Sequence, residues 1–313
     1  MLQTLHFELL DHWNRSLESA FRAWMHLAET TADIIDEATG KHVQDLTGRM
    51  MTGIHAHPFL PVKASRHSQR IALVTGGLGG IGTEICRKLA RGGDRVIATH
   101  IAAEAEYARK WQRERREEKL DIDVIECNVT DFDACARMAA DVEKIYGGVD
   151  VLVNCAGITR DAMLRKMGEE EWHAVLDTNL DSVFNVTKNV LEGMVGRHYG
   201  RIINISSVNA LKGQFGQTNY SAAKAGMYGF TRALARELAE HGITVNTVSP
   251  GYVATRMVLA VPDDIRQQIV AKIPVGRLAE PAEIAHAVAF LAAEDSGYIT
   301  GTDLSVNGGL FMS

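Results

Sequence analysis

The sequence predicts an α/β protein built on a doubly wound, mostly parallel sheet, with a helical extension at its amino end. Three observations carry that expectation. From Arg70 onward, short strand-like runs, the first of them all apolar, alternate with longer helical ones, the pattern of a parallel sheet with helices laid over its faces. The first apolar run passes directly into a glycine-rich stretch, Thr75 to Gly82 (TGGLGGIG), which then turns amphipathic. Before residue 69, apolar residues recur in steps of three or four, without a strand-like run.

In the extension, Leu2, Leu5, Leu9, Trp13, Leu17, Phe21, Trp24, Leu27, Ile34 and Ala38 form the stripe of a long amphipathic helix. Thr39-Gly40 interrupts it, and a weaker helical pattern continues through Val43, Leu46, Met50 and Ile54. Residues 55–69 (HAHPFLPVKASRHSQ) contain both prolines of the first 249 residues and read as a linker. The expected boundaries are therefore a helical extension over 1–54, a linker over 55–69 and a sheet domain over 70–313. A free helix of this length must bury its stripe, by self-association, by packing on the rest of the chain, or on a surface to which it tethers the protein.

The sheet domain follows in order. IALVTGG is a strand, Ile81 to Arg91 a helix, RVIAT a strand and residues 103–119 a charged helix. DIDVIECNV, VDVLVNCAG, RIINISS, ITVNTVS and DLSVN supply further strands, with helices over 131–146 and 218–240. In such sheets, ligands bind beyond the carboxyl ends of the strands.

Composition bounds the function. With 46% hydrophobic and 23% charged residues the chain is ordinary for a globular protein, and a net charge of −6 gives no reason to expect nucleic-acid binding. No run of about 18 apolar residues exists to span a membrane, and Glu8 and Asp11 interrupt an amino terminus that lacks the basic region of a signal peptide. Cys86, Cys127, Cys135 and Cys155 have no metal-binding spacing and read as reduced thiols, so the expectation is a cytoplasmic protein without a metal site.

The glycine stretch suits a dinucleotide diphosphate, because glycine lets the backbone approach phosphate at a helix amino terminus. Two phasings fit: Gly77, Gly79 and Gly82 match GxGxxG, while Gly76, Gly80 and Gly82 fit a different dinucleotide loop equally well. The second strand ends Ala98-Thr99-His100-Ile101, with no carboxylate to hold a ribose 2′-hydroxyl. That favours NADP(H) over NAD(H), with His100, Arg109 and Lys110 as the nearby basic groups. Further on, Ser207 closes a strand, and Tyr220 and Lys224 stand four apart in GQFGQTNYSAAKAG. On a helix they share one face. A lysine beside a phenol lowers its pKa and makes it a better general acid, while the serine hydroxyl holds a carbonyl oxygen.

Together, TGGLGGIG, NCAG (154–157), TNL (178–180), Ser207, the Tyr220/Lys224 pair and SPGYVAT (249–255) resemble the short-chain dehydrogenase/reductase family over residues 70–313. The resemblance implies a Rossmann-like fold with Tyr220 as proton donor, Lys224 lowering its pKa and holding the nicotinamide ribose, Ser207 orienting the carbonyl and Asn179 holding a relay water. It assigns the diphosphate turn to Gly76, Gly80, Ile81 and Gly82, and the adenosine side to Val129, Asn154, Ala156 and Gly157. Pro250, Gly251 and Val253 fall at the nicotinamide end. Two departures are Cys155, where the family usually has asparagine, and Gly79, where many NADP-dependent members have arginine.

Within the family, NCAGITRDAMLRKM, DTNLDSVFNVTK, SSVN and GQFGQTNYS resemble the acetoacetyl-CoA reductases of polyhydroxyalkanoate synthesis, with the 3-oxoacyl-carrier-protein reductases as close relatives. The reaction implied is NADPH-dependent reduction of a 3-ketoacyl-CoA to the (R)-3-hydroxyacyl-CoA. Asp161, Lys166, Gln214, Phe215, Gln217 and Tyr252 then match substrate-lining positions, and the resemblance implies a homotetramer. In that company the segment LAETTADIIDEATG has the character of a granule-coating phasin, so association with polyester granules is one expectation for the extension. A non-catalytic binding or scaffold protein that kept the fold is the alternative from another class. The intact Asn179, Ser207, Tyr220 and Lys224 set weighs against it.

Overall fold

A computed structural model describes residues 69–312. The extension of 1–54 and nearly all of the linker lie outside the described residues. Seven strands form one sheet: β1 (Ile71–Thr75), β2 (Arg95–His100), β3 (Ile122–Glu126), β4 (Val151–Asn154), β5 (Gly200–Ile205), β6 (Ile243–Pro250) and β7 (Asp303–Val306). Their order is β3-β2-β1-β4-β5-β6-β7, and every pairing is parallel. The helices are α1 (Gly80–Arg91), α2 (Ala105–Glu117), α3 (Phe132–Tyr146), α4 (Glu169–Leu176) and α5 (Ser182–Arg197), followed by the single turn α6 (Asn209–Lys212). After these come α7 (Thr218–Leu238), the single turn α8 (Arg256–Leu259), α9 (Asp263–Val270) and α10 (Pro281–Ala292).

Alternation along the central strands divides the core in two. Ala72 and Val74 of β1, with Val151 and Val153 of β4, pack against Ile85 and Leu89 of α1, Trp111 of α2 and Val288 and Leu291 of α10. Ile71 and Leu73, with Leu152 of β4 and Ile202 of β5, pack against Met138 and Val142 of α3, Val190 and Met194 of α5 and Leu238 of α7. This two-sided burial is why β1 and β4 read as almost wholly apolar runs, while the equally buried β5 and β6 also carry polar residues such as Arg201, Asn204 and Asn246 that are hydrogen-bonded inside. The edge strands β3 and β7 are only half buried, and β3 ends at Glu126, three residues short of the apolar pattern.

The amino end of the sheet is a fixed end. Arg70 Nε donates to Asp94 Oδ1 at 2.8 Å and Arg70 Nη1 to the Ala292 carbonyl at 2.8 Å, joining β1, β2 and α10. Arg201, 1% exposed, donates to the carbonyls of Gly200, Gly242, Ala293 and Glu294 and lies over the Tyr199 ring. On one face, Trp111 (2% exposed) locks α2 to α1 by donating from Nε1 to Thr83 Oγ1 at 3.0 Å. Trp111→Ala removes both the buried ring and this bond. The expected loss is about 3–5 kcal/mol, measured by urea unfolding, with Trp111→Phe recovering most of it because the apolar volume is largely restored.

Candidate active site

The opposite, carboxyl edge of the sheet holds a cleft of about 670 Å3. Its position follows from topology. The chain runs from β1 toward β2 on one side and continues from β4 toward β5 on the other, so the connections diverge between β1 and β4 and leave a crevice. There, Thr75 Oγ1 accepts from the backbone N–H groups of Cys155 (3.0 Å) and Ala156 (3.1 Å), tying the two strand ends together.

The glycine loop after β1 forms one wall. Gly76 has φ +62°, and a Cβ there would stand 2.8 Å from Ala156 Cα. A Cβ on Gly82 would meet the Gly76 carbonyl at 2.2 Å, so the turn closes only without side chains at these two positions. Gly80 opens α1 against Thr255, and a Cβ on Gly77 would stand 2.6 Å from Ala98 Cβ of β2, so glycines of both phasings lie in close quarters. No side chain caps α1 and no acidic residue occupies its first turn, which leaves its N–H groups and positive dipole end facing the cleft. A cradle of bare backbone donors of this kind fits a dinucleotide diphosphate.

The other wall comes from β5, β6 and α7. Lys224 Nζ donates to the Ile205 carbonyl at 2.8 Å, and the Lys224 carbonyl accepts from Ser206 Oγ at 2.9 Å, so α7 is fixed to the end of β5 at this one residue. At the start of the helix, Asn219 donates to the carbonyls of Arg160 (3.0 Å) and Glu171 (3.1 Å) and accepts from Tyr220 N (2.8 Å). Tyr220 and Lys224 thereby share a face as expected, with Lys224 Nζ 5.7 Å from the Tyr220 ring centroid. The Ser207 hydroxyl shares the cleft wall with the Tyr220 phenol and draws its pKa down. Asn179 sits in a π-helical turn, Asp177–Asp181, between α4 and α5. Its Nδ2 donates to the carbonyls of Ile158 and Val175, both at 2.9 Å. Its Oδ1 is buried without a hydrogen-bond partner. A Cβ on Gly157 would lie 2.6 Å from that oxygen and 3.4 Å from Lys224 Nζ, so the orphaned acceptor and the ammonium face the same small space.

The electrostatics differ from what spacing alone suggests. Burial pushes the Tyr220 phenol up to about 12; Cys155 and Asp161 add to this, and only the Ser207 hydroxyl pulls it down. Burial also draws the Lys224 ammonium down to about 8, with Cys155 opposing. The expected lowering of the phenol by its lysine gives way to desolvation, because both groups are taken out of water and the ammonium is directed at the Ile205 carbonyl. The phenol is therefore held as the protonated acid.

Of the sequence-predicted residues, Gly76, Gly80, Ile81, Gly82, Ala156, Gly157, Ser207, Tyr220, Lys224, Pro250, Gly251 and Val253 line the cleft. Val129, Asn154 and the fully buried Asn179 do not. Val129 is buried beside Cys135, and its carbonyl accepts from Asn185 Nδ2 at 3.0 Å. Asn154 points beneath the site, donating to Asn204 Oδ1 (2.8 Å), while Asn204 donates to Thr231 of α7 (2.8 Å). This buried chain joins β4, β5 and α7, so Asn154 supports the helix that carries Tyr220 rather than facing the cleft. The six substrate positions lie outside the cleft wall. Gln217 Nε2 donates to Asp161 Oδ2 at 2.9 Å and its Oε1 accepts from Asn209, Gln214 accepts from Lys212 at 2.8 Å, and Phe215 is 83% exposed. Ala162 N donates to the Gly216 carbonyl at 2.9 Å, which brings the 160s loop against the loop preceding α7. Lys166 is exposed in a 3-10 turn, Leu164–Lys166. Tyr252 is half buried on the segment after β6, and burial raises its phenol. Sequence reasoning missed Thr99, Glu104, Thr255 and Arg256, all in the cleft wall. The strand end at Thr99 could have pointed to the first two; nothing in the spacing marks Arg256.

Sequence comparison with known proteins identifies the family. The family profile described as "Enoyl-(Acyl carrier protein) reductase" matches residues 76–311. An acetoacetyl-CoA reductase of Allochromatium vinosum is 58% identical over 243 residues, covering 78% of this chain and 99% of that protein. One from Cupriavidus necator is 55% identical over 245 residues, with the same coverage of 78% and 99%. A 3-oxoacyl-[acyl-carrier-protein] reductase FabG of Vibrio cholerae is 45% identical over 244 residues, covering 78% and 98%. With the glycine cradle, the Ser207–Tyr220–Lys224 wall and a match across most of its length, the chain belongs to the short-chain dehydrogenase/reductase family of NAD(P)-dependent oxidoreductases.

Proposed function

We propose that the protein reduces acetoacetyl-CoA, a 3-ketoacyl-CoA, to the (R)-3-hydroxyacyl-CoA with NADPH as donor, in the cytoplasm, and so supplies polyhydroxyalkanoate synthesis. The observation that carries the chemistry is that Ser207, Tyr220 and Lys224 line one wall of the cleft, with the phenol kept protonated by burial. The substrate name rests on the acetoacetyl-CoA reductases that are 50–58% identical, against 45% for the carrier-protein reductase. When bound, the nicotinamide supplies the hydride equivalent. The residues supply the rest. Ser207 and Tyr220 donate to the 3-keto oxygen and fix its face, and Tyr220 passes its proton to that oxygen as it gains charge. Lys224 and the unpartnered Asn179 Oδ1 bracket the space in which a water would refill the phenol. The diphosphate falls to the N–H groups of the Gly80–Gly82 turn and the ribose to Lys224.

NADPH over NADH is supported by the absence of a carboxylate within Ala98–Ile101 and by half-buried His100, whose Nδ1 lies 3.0 Å from the Ile101 carbonyl. Arg109 and Lys110 are exposed and outside the cleft wall, while Glu104 borders it, so this reading requires the Glu104 carboxylate to turn to solvent. A homotetramer would cover apolar groups that otherwise face water, notably the stacked Phe132–Phe184 pair (centroids 6.0 Å apart) and the fully exposed Tyr298. Granule association through residues 1–54 remains a proposal resting on their amphipathic pattern alone.

Rates on acetoacetyl-CoA and on the matching carrier-protein thioester test the substrate. A higher kcat/KM for the CoA ester is expected, and the reverse order would move the protein to the carrier-protein reductases. The mechanism separates activity from stability at two positions. Tyr220→Phe is expected to lower kcat by at least about a hundredfold, as loss of a general acid does. A non-catalytic scaffold would show no NADPH oxidation for either protein. Lys224→Met should likewise abolish turnover yet leave the thermal midpoint at pH 7 unchanged or higher, because it replaces a buried ammonium with an apolar chain.

A further inference from the structure

The glycine loop presents backbone N–H groups to a diphosphate but no basic side chain. Gly79 occupies the turn, and the first turn of α1 (Gly80 to Thr83) carries no cation. Two cations line the cleft, Lys224 and Arg256. Lys224 is buried and donates to the Ile205 carbonyl. Arg256 is exposed on the facing wall and makes no ion pair among the described residues, whereas Arg266 and Arg277 further along the same region hold Asp263 and Glu283.

Its base is fixed close to the loop. Thr255, the preceding residue, stands with its Cγ2 3.1 Å and its Cβ 3.3 Å from where a Cβ on Gly80 would be, so the chain crosses directly over the start of α1. That crossing is held from behind by Ala254 N donating to the Ala279 carbonyl (2.8 Å) and Ala279 N to the Tyr252 carbonyl (2.9 Å). A guanidinium carried from that crossing and lining the same cleft is within reach of a helix amino terminus worth roughly half a positive charge, across from bare backbone donors. Its planar fork of N–H groups matches phosphate oxygens better than an ammonium does. A dinucleotide diphosphate carries two negative charges, and the half charge of the helix end leaves most of them unbalanced.

We propose that Arg256 binds the cofactor's diphosphate from the wall opposite the glycine loop, as a charged clamp that closes the anion site. The assignment rests on the cleft being the nicotinamide dinucleotide site and is independent of which thioester is reduced.

Fluorescence titration of NADPH and NADH, with no thioester present, tests it in the full-length protein. Arg256→Gln is expected to raise Kd for both dinucleotides about tenfold, the size of one charge-assisted phosphate contact, and to flatten the dependence of Kd on salt. Arg256→Lys should recover part of the loss. Binding of 2′-AMP, which lacks the diphosphate, should be the same in wild type and variant. Wild-type affinity for NADPH and NADH in Arg256→Gln would overturn the assignment. So would an equal loss for 2′-AMP, which would trace the effect to the fold. If the wild-type protein binds neither dinucleotide, the dinucleotide reading of the cleft itself fails, a result distinct from either of these.

Discussion

The structure depends on one constraint, the burial of a parallel sheet on both faces. Every strand then runs the same way, so all carboxyl ends open along one edge, and the helices that cover the faces cannot cover that edge. Because β1 and β4 are neighbours whose onward connections leave in opposite directions, the gap between those connections is where a ligand can enter. The Thr75 hydroxyl, accepting from Cys155 N and Ala156 N, holds that gap at a fixed width. Gly76 can lie against Ala156 only because it has no Cβ.

Strength and function are placed at opposite ends of the same strands. The amino end carries the Arg70–Asp94 pair and the buried Arg201, both satisfied by carbonyls or carboxylate. The carboxyl end contains groups that are not fully satisfied: an ammonium lowered by burial, a phenol raised by burial, and an asparagine oxygen with no partner. These arrangements cost stability and persist because α7 is held from several sides, by Asn219 at its start, Ser206 at Lys224 and the Asn154–Asn204–Thr231 chain beneath it. That cost is what a site for proton transfer needs, since a fully paired donor has nothing left to give to substrate.

Much of this was legible in the sequence, and the reasons are specific. β1 and β4 are legible because burial on both faces leaves them almost wholly apolar, whereas β3, half exposed, ends at Glu126, short of the run its sequence suggests. Tyr220 and Lys224 were legible because helical spacing is rigid enough to place two side chains on one face. The direction of their pKa shifts was not, because desolvation depends on what surrounds them in space. Asn154 and Val129 lie outside the cleft lining for a related reason. A motif gives a position on the chain, while the direction of the side chain is decided by partners such as Asn204 and Cys135, which come from other elements. Arg256 opens the single turn α8 and Glu104 closes a 3-10 turn before α2, pieces too short to show periodicity, and only the folded cleft brings them to its wall.

The central claim is that a protonated Tyr220 delivers the proton while a buried Lys224 must keep its own charge. It is tested most directly by the pH dependence of kcat/KM for acetoacetyl-CoA reduction. Lys224 is held well below its ordinary value, at about 8, so it loses its proton there; Tyr220, held at about 12, stays protonated far beyond. The account predicts a plateau below about pH 8 and a decline of about tenfold per pH unit above it, reporting one group. A rate that stays level or rises from pH 8 to 10 would contradict it.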